Sequence, residues 1–182
     1  GEAKWASLKT PQTWKGDDGK YQINVLLSAE DAQPLIDQCN GMIEKVCDIM
    51  GKRPKLSTYD PYSELDDGRF EFKFKRKFFA ANDKYPATAP IATMMPDGSK
   101  VDWEETDWSV GNGSKVQVGA YMLPYYTNML GLGISLRLMA VSIVELEKYD
   151  GTSSADDFNF VASNVATVDA SDNKTGKPSA DF

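Results

Sequence analysis

The segment GRFEFKFKRKFF, residues 68–79, alternates apolar and charged side chains. Successive side chains of a β-strand point to opposite faces of the sheet, so this alternation predicts a strand with two unlike faces. One face carries three phenylalanines: Phe70, Phe72 and Phe74. The other carries four cations: Arg69, Lys73, Lys75 and Lys77. The aromatic face is expected to be buried in a core.

The cationic face has two interpretations. Cations two residues apart on a strand are roughly 6–7 Å apart, which suits the phosphates of an extended nucleic-acid strand. Lysines on an exposed edge strand also prevent sheets from pairing with one another. The segment alone does not separate these two possibilities.

Length and composition limit the class of protein. The chain has 182 residues, which predicts one domain with a real core, followed by a tail. It has no apolar run close to the ~20 residues of a membrane span, and no signal peptide opens it, so we expect an intracellular protein without a membrane partner. It has no histidine, which removes Ser-His-Asp and Cys-His chemistry and argues against an enzyme.

The two cysteines predict free thiols. Cys39 and Cys47 lie eight residues apart in one predicted helix. That spacing corresponds to ~12 Å along the axis, beyond the ~7 Å that a disulfide can bridge. Two cysteines without histidine also give no structural zinc site, and we expect no metal and no cofactor.

Periodicity indicates an all-β fold with one helix. Residues 20–27 alternate as a strand, and Gly19 is expected to open this first strand. Ser28 and Gly51 are suitable caps for a helix between them, whose predicted core stripe is Leu35, Cys39, Met42, Val46 and Ile49. Residues 52–67 read as a loop, 91–98 as a hairpin, and 131–146 as the last and longest strand. About five strands and one helix predict a small barrel.

Charge is unevenly distributed along the chain. The net charge is −7, but residues 150–182 hold six acids against two lysines, so −4 of it belongs to this segment. The segment is rich in small and polar residues, which predicts a mobile acidic tail after a folded domain of residues 1–149. Net acidity therefore does not exclude a nucleic-acid partner, because binding depends on where the charge lies.

Three stretches resemble a known family: residues 110–151 (VGNGSKVQVGAYMLPYYTNMLGLGISLRLMAVSIVELEKYDG), the segment GRFEFKFK, and the terminal Asp-Phe. They are similar to the single-stranded DNA-binding protein of T-seven-type podophages. The similarity runs with gaps over residues 14–147 and is most specific over 113–145. It implies a five-stranded oligonucleotide-binding (OB) barrel capped by the helix, a homodimer and an acidic C-terminal tail.

The resemblance also implies roles for individual residues. Lys73 and Lys75 match basic positions that hold single-stranded DNA, and Tyr125 matches an aromatic residue that stacks on bases. Trp14 matches an aromatic position in the N-terminal loop. In the tail, the positions expected to contact partners are Asp156, Asp157, Asp181 and Phe182. Gln117 and Gly119 stand where the family has lysines, so this barrel should hold phosphate less tightly.

The residues themselves support the same surface. Lys115 and Tyr121 share the outer face of one predicted strand, and they are of the same kind as the cations of residues 68–79. The complete predicted DNA-binding set is Trp14, Arg69, Lys73, Lys75, Lys77, Lys115, Tyr121 and Tyr125. Tyr121 and Tyr125 also suit a core or rim position, and Trp14 suits a plug at the barrel end.

Together, these features predict a non-enzymatic protein that coats single-stranded DNA without sequence preference. It would serve phage DNA replication, recombination and repair in the host cytoplasm, and recruit the phage DNA polymerase and helicase-primase through the tail. Two alternatives stay open. One is a metal-dependent nuclease built on the acidic cluster Asp102, Glu104, Glu105 and Asp107, which alternates with Trp103 and Trp108. The other is a phage structural or assembly protein.

Overall fold

The computed structural model describes residues 1–13 and 19–149. In these ranges the chain forms nine strands and one helix, in the order β1 Glu2–Gln12, β2 Lys20–Leu27, α1 Ala29–Met50, β3 Tyr62–Glu64, β4 Phe70–Lys77, β5 Ala92–Met94, β6 Ser109–Val110, β7 Lys115–Thr127, β8 Gly131–Glu145 and β9 Lys148–Tyr149. Trp14 and the predicted tail, with Asp156, Asp157, Asp181 and Phe182, lie outside the described residues. The α1 helix is not apolar enough to span a membrane.

Five strands close into a barrel. In the order β4-β2-β1-β7-β8, neighbouring strands pair antiparallel, and a parallel pairing between β4 and β8 closes the ring. At the closure Phe74 lies opposite Leu136, and Lys75 lies opposite Arg137. The short strands β3 and β5 extend the sheet beside β4 and β8. The predicted barrel with one helix is confirmed.

The core is built from the inward faces of these strands. The buried set includes Tyr21, Ile23 and Val25 on β2, Phe72 and Phe74 on β4, and Ile134, Leu136 and Leu138 on β8. Phe70 packs against this cluster at the start of β4. The predicted aromatic face of residues 68–79 is therefore confirmed, and the charged face of the same strand is left on the outside.

The helix has the predicted ends. Ser28 Oγ accepts a hydrogen bond from the Asp31 N–H at 3.1 Å, and the Gly51 N–H donates to the Asp48 carbonyl at 3.2 Å. These bonds satisfy backbone groups that a helix end otherwise leaves without partners. Cys39 and Cys47 are buried free thiols, as predicted.

The predicted core stripe of the helix is partly wrong. Ile49 is 85% exposed, whereas the buried helical residues are Ala32, Ile36, Cys39 and Cys47. Each helical residue is rotated ~100° from the last, so Ile49 lies roughly 200° from Cys47 and faces away from the barrel. The remaining stripe positions, Leu35, Met42 and Val46, are half-buried beside the inward face.

Several predicted boundaries also needed correction. Gly19 does not open the first strand, because β1 precedes it, and β3 lies inside the predicted loop 52–67. The longest strand is β8, but β9 follows it. The hairpin at residues 91–98 is confirmed: Met95 N–H donates to the Ser99 carbonyl at 2.8 Å, around the turn after β5.

Candidate nucleic-acid interface

A row of side chains crosses four strands on the outside of the barrel. Tyr121 on β7 is paired with Arg137 on β8, Arg137 with Lys75 on β4, and Lys75 with Gln22 on β2. Neighbouring strands are ~4.8 Å apart, so a phenol ring, a guanidinium and an ammonium follow one another at short intervals. Tyr121 is 61% exposed, and Arg137 and Lys75 are exposed as well. We call these four residues the cross-strand row.

Further cations surround this row. Lys73 and Lys77 lie two residues to either side of Lys75 along β4, and Lys20 on β2 is paired with Lys77. Within residues 1–13 and 19–149, the ion pairs involve none of Lys20, Lys73, Lys75 and Arg137. The Lys77 ammonium lies 5.2 Å from the centroid of the Phe79 ring. We call Lys20, Lys73, Lys75, Lys77 and Arg137 the basic face.

The charges of the basic face repel one another. Partial burial, followed by the neighbouring charges of Lys20 and Lys73, lowers the pKa of Lys75. The charged form of Lys75 is therefore disfavoured in the free protein. A bound phosphate would reverse this effect, because an anion close to the ammonium favours the protonated form. The positive charges of the basic face therefore favour an anionic ligand.

Two cavities adjoin the basic face, and both are lined by Lys75 and Ser135. One, of about 330 Å³, also contains Lys77, Arg137 and Phe79. The other, of about 160 Å³, lies between β4, β8 and the loop at residues 59–61. Both cavities are therefore lined by cations and by aromatic rings. Proteins that bind single strands combine these two features, since cations attract the backbone and rings stack on bases.

Tyr125 is tied to the loop that follows the helix. Its hydroxyl lies 2.9 Å from Ser57 Oγ and donates to the Tyr59 carbonyl at 3.4 Å. Its ring lies over Gly133, its partner on β8, where an added Cβ would come within 2.5 Å of the ring. Tyr125 is half-buried, with its hydroxyl group bonded and part of its ring accessible at the smaller cavity.

Arg69 and Lys115 occupy a different place. Both are near Glu2 Oε2, Arg69 Nη1 at 3.4 Å and Lys115 Nζ at 3.7 Å. Arg69 also pairs with Asp67 at 2.8 Å, and this contact raises the pKa of Arg69 and lowers that of Asp67. The charges of Arg69 and Lys115 are therefore partly neutralised within the protein.

The structure thus brings together five of the eight predicted binding residues: Lys73, Lys75, Lys77, Tyr121 and Tyr125. It adds residues that sequence reasoning missed. Arg137 lies between two buried leucines on β8, so alternation alone assigns it to the outer face. Its position opposite Lys75 follows only from the pairing of β4 with β8 that closes the barrel. Tyr59, 66% exposed, lies in a loop where periodicity gives no signal.

Local hydrogen bonds and ring packing hold the segment that carries the acidic cluster and its two tryptophans. Asp102 Oδ1 accepts the Glu104 N–H at 2.9 Å, and Trp103 Nε1 donates to the Ile91 carbonyl at 2.8 Å. The rings of Trp103 and Trp108 meet edge to face at 5.8 Å. In the described part of the chain, no group of three or more acidic or cysteine side chains converges to hold a metal ion. The geometry places Trp103 in the core.

A cavity of about 760 Å³ is a separate feature. It is lined by β5 and the segment at residues 100–104, and the predicted DNA-binding residues that lie within the described ranges do not line it. Its walls include Ile91, Val101 and Trp103, which belong to the core or pack against it.

The five-stranded barrel and its helix form an OB-type fold, and solved structures of phage single-stranded DNA-binding proteins have a similar fold. Gp2.5, a single-stranded DNA-binding protein encoded by bacteriophage T7, superposes with a TM-score of 0.70 at 21% identity, over 93% of this chain and 95% of that one. The single-stranded DNA-binding protein of bacteriophage Enc34 gives 0.59 at 13% identity, over 86% of this chain and 84% of that one.

The Enc34 protein in complex with single-stranded DNA gives a TM-score of 0.57 at 13% identity, over 84% of this chain and 85% of that one. No protein-family model and no curated sequence matches the chain. At these identities the comparisons establish the fold, and the predicted resemblance is confirmed at that level.

Proposed function

We propose that this protein binds single-stranded DNA without sequence preference on its basic face. The observation that carries the proposal is the register of the cross-strand row, which places Tyr121, Arg137 and Lys75 side by side on the outside of the barrel. Unpaired bases can stack on an exposed ring, and the adjacent cations can neutralise the phosphates between them. Neither contact requires a particular base.

The proposal separates the predicted residues by their role. Lys73, Lys75 and Lys77 hold phosphates together with Arg137, while Tyr121 and Tyr125 offer rings to bases. Arg69 and Lys115 act at the margin of the site, because each has Glu2 as a competing partner. Trp14 remains a candidate aromatic contact from the N-terminal loop. No step of this mechanism breaks a covalent bond, so the function we propose is binding and not catalysis.

We place this activity in phage DNA replication, recombination and repair in the host cytoplasm. Support comes from the fold shared with the DNA-binding proteins of two phages. Residues 1–149 would coat exposed template, and the acidic segment 150–182, ending in Phe182, would recruit the phage DNA polymerase and helicase-primase. We further propose a homodimer, on the family resemblance of the sequence.

A titration with oligo-dT tests the proposal. The protein's tryptophan fluorescence should change on binding, and the association constant should fall as salt rises, with a slope of about −0.7 in log K against log salt per phosphate contact. The same samples with Mg²⁺ should leave labelled DNA intact. A protein that neither binds oligo-dT nor responds to salt would contradict the proposal, and cleavage of the DNA would favour a nuclease.

Deleting the last ~20 residues is expected to tighten DNA binding. Carboxylates in this segment resemble phosphates, so we propose that the tail competes with DNA for the basic face and becomes free for partners when DNA binds. At low salt the competition should be strongest, since it is electrostatic. Fluorescence anisotropy of labelled oligo-dT with the full-length and shortened proteins measures the effect. Equal or weaker affinity of the shortened protein would rule out competition by these last residues.

Replacing Tyr125 with alanine is expected to weaken oligo-dT binding by ~1–3 kcal/mol, the contribution of stacking on one base. Tyr125→Phe is the matched control, because it keeps the ring and removes the hydroxyl contacts with Ser57 and Tyr59. We expect its affinity to stay within about twofold of wild type. If both variants lose affinity equally, Tyr125 acts by positioning the loop and its ring does not stack.

A further inference from the structure

The smaller cavity beside the basic face has the lining of a pocket for one nucleobase. The cavity measures about 160 Å³ and is open to solvent, so a planar base can enter it. Tyr59 and Tyr125 supply aromatic walls, and Lys73 and Lys75 line the same space. Ser57 Oγ accepts the Tyr59 N–H at 3.1 Å and contacts the Tyr125 hydroxyl, so a single side chain holds both tyrosines in place.

Asp60 is the unusual member of this lining. It is an exposed acid beside two lysines, yet among the described residues its carboxylate has no hydrogen-bond or ion-pair partner. Burial, followed by the charge of Asp60, raises the pKa of Cys39, and the same two causes raise the pKa of Tyr62. Neither of these neighbours supplies a positive charge that would neutralise Asp60. An unpaired carboxylate weakens any non-specific attraction for phosphate. Its acceptor oxygens are free for a ligand.

We propose that the cavity admits one unpaired base and that Asp60 selects bases that carry an exocyclic amino group. This inference rests on the proposed function and adds a base preference at one position of the site. The amino groups of cytosine, adenine and guanine can donate to the carboxylate. Thymine and uracil offer the carboxylate a single donor, the N3–H, between two carbonyl oxygens that the carboxylate repels.

The lysines of the cavity do not cancel this preference. In the proposed complex Lys73 and Lys75 contact the phosphates flanking the bound base, since each also belongs to the row of cations along β4. Thymine or uracil would then face Asp60 with one N3–H donor flanked by two carbonyl oxygens. Because Asp60 is exposed, water can hydrate its carboxylate beside the wrong base, so the expected discrimination is modest.

The test compares oligo-dC with oligo-dU, which differ in the group on C4 of the base and in N3, an acceptor in cytosine and an N–H donor in uracil. The wild-type protein is expected to bind oligo-dC about three- to tenfold more tightly than oligo-dU. Asp60→Asn should bring this ratio close to one, because the amide can accept from an amino group or donate to a carbonyl. Asp66→Asn is the matched control. It removes the same charge from an exposed residue that does not line the cavity, and it should keep the wild-type ratio.

Each outcome decides between specific roles. A preference for oligo-dC that is lost in Asp60→Asn and kept in Asp66→Asn supports the inference. Equal affinity of the wild-type protein for both oligomers overturns it and leaves the proposed DNA binding intact. The inference is also overturned if Asp60→Asn strengthens binding to both oligomers by the same factor, since Asp60 then acts only through its charge. Failure to bind either oligomer would overturn the proposed function itself.

Discussion

Replacing Lys75 and Arg137 together with alanine is expected to weaken oligo-dT binding about 60-fold at about 0.05 M salt and about tenfold at about 0.2 M. Both residues belong to the cross-strand row and lie opposite each other where the barrel closes. Each phosphate contact on a single strand contributes about 0.7 to the slope of log K against log salt. The double variant should therefore lose about 1.4 from this slope. Anisotropy titrations at four or five salt concentrations measure both quantities.

Lys45→Ala combined with Lys84→Ala is the matched control for charge. Both lysines are exposed and lie outside the basic face, and their removal changes the net charge by the same amount. The control should keep the wild-type slope. If the two double variants lose affinity and slope equally, DNA responds to the overall charge of the protein and no particular face binds it. If neither variant changes the slope, Lys75 and Arg137 do not contact DNA. The edge-strand interpretation of the β4 lysines does not explain them either, because β4 is paired with β2 on one side and with β3 and β8 on the other.

Gly131→Ala is expected to lower the free energy of unfolding by about 2–4 kcal/mol. Gly131 begins β8 with φ +90°, and an added Cβ would come within 2.4 Å of the Lys55 carbonyl oxygen. Close by, Leu132 N–H donates to that oxygen at 2.8 Å, and Ser57 N–H donates to the Leu132 carbonyl at 2.7 Å. The substitution therefore adds backbone strain and displaces the loop that carries Ser57, the anchor of Tyr125. Urea denaturation followed by circular dichroism measures the loss.

Two other glycines separate the causes of this loss. Gly68 has φ +78° but open space around it, so Gly68→Ala reports the strain alone, about 1–2 kcal/mol. Gly41 lies in the helix, also with open space, and Gly41→Ala should stabilise the protein by about 0.5–1 kcal/mol. If Gly131→Ala costs no more than Gly68→Ala, the close approach between β8 and the loop does not contribute to stability.

Much of the barrel follows from local patterns. The strand at residues 20–27, the helix between Ser28 and Gly51, and the two-faced strand at 68–79 were predicted because each shows clear periodicity or caps. β1 was missed because its alternation is interrupted: the pairing with β2 shifts register after Lys4, and Trp5 has φ +53°. A strand with irregular register leaves no period of two in the sequence.

The binding surface was predictable only in part, for a related reason. Lys73, Lys75 and Lys77 share one strand, so their common face follows from alternation alone. Arg137 joins them through a pairing between strands about sixty residues apart in sequence, which no local pattern encodes. The same holds for Arg69 and Lys115, since Glu2, which pairs with both, belongs to the strand that sequence analysis missed.

Photocrosslinking of an oligo-dT that contains 4-thiothymine tests the central claim most directly. After digestion, mass spectrometry identifies the peptides joined to DNA. We predict adducts on the peptides that carry the cross-strand row and its flanking cations: those with Tyr121, and those with Lys73 and Lys75. Adducts confined to Trp5 and Tyr149, exposed aromatic residues outside the basic face, would contradict the proposed binding surface.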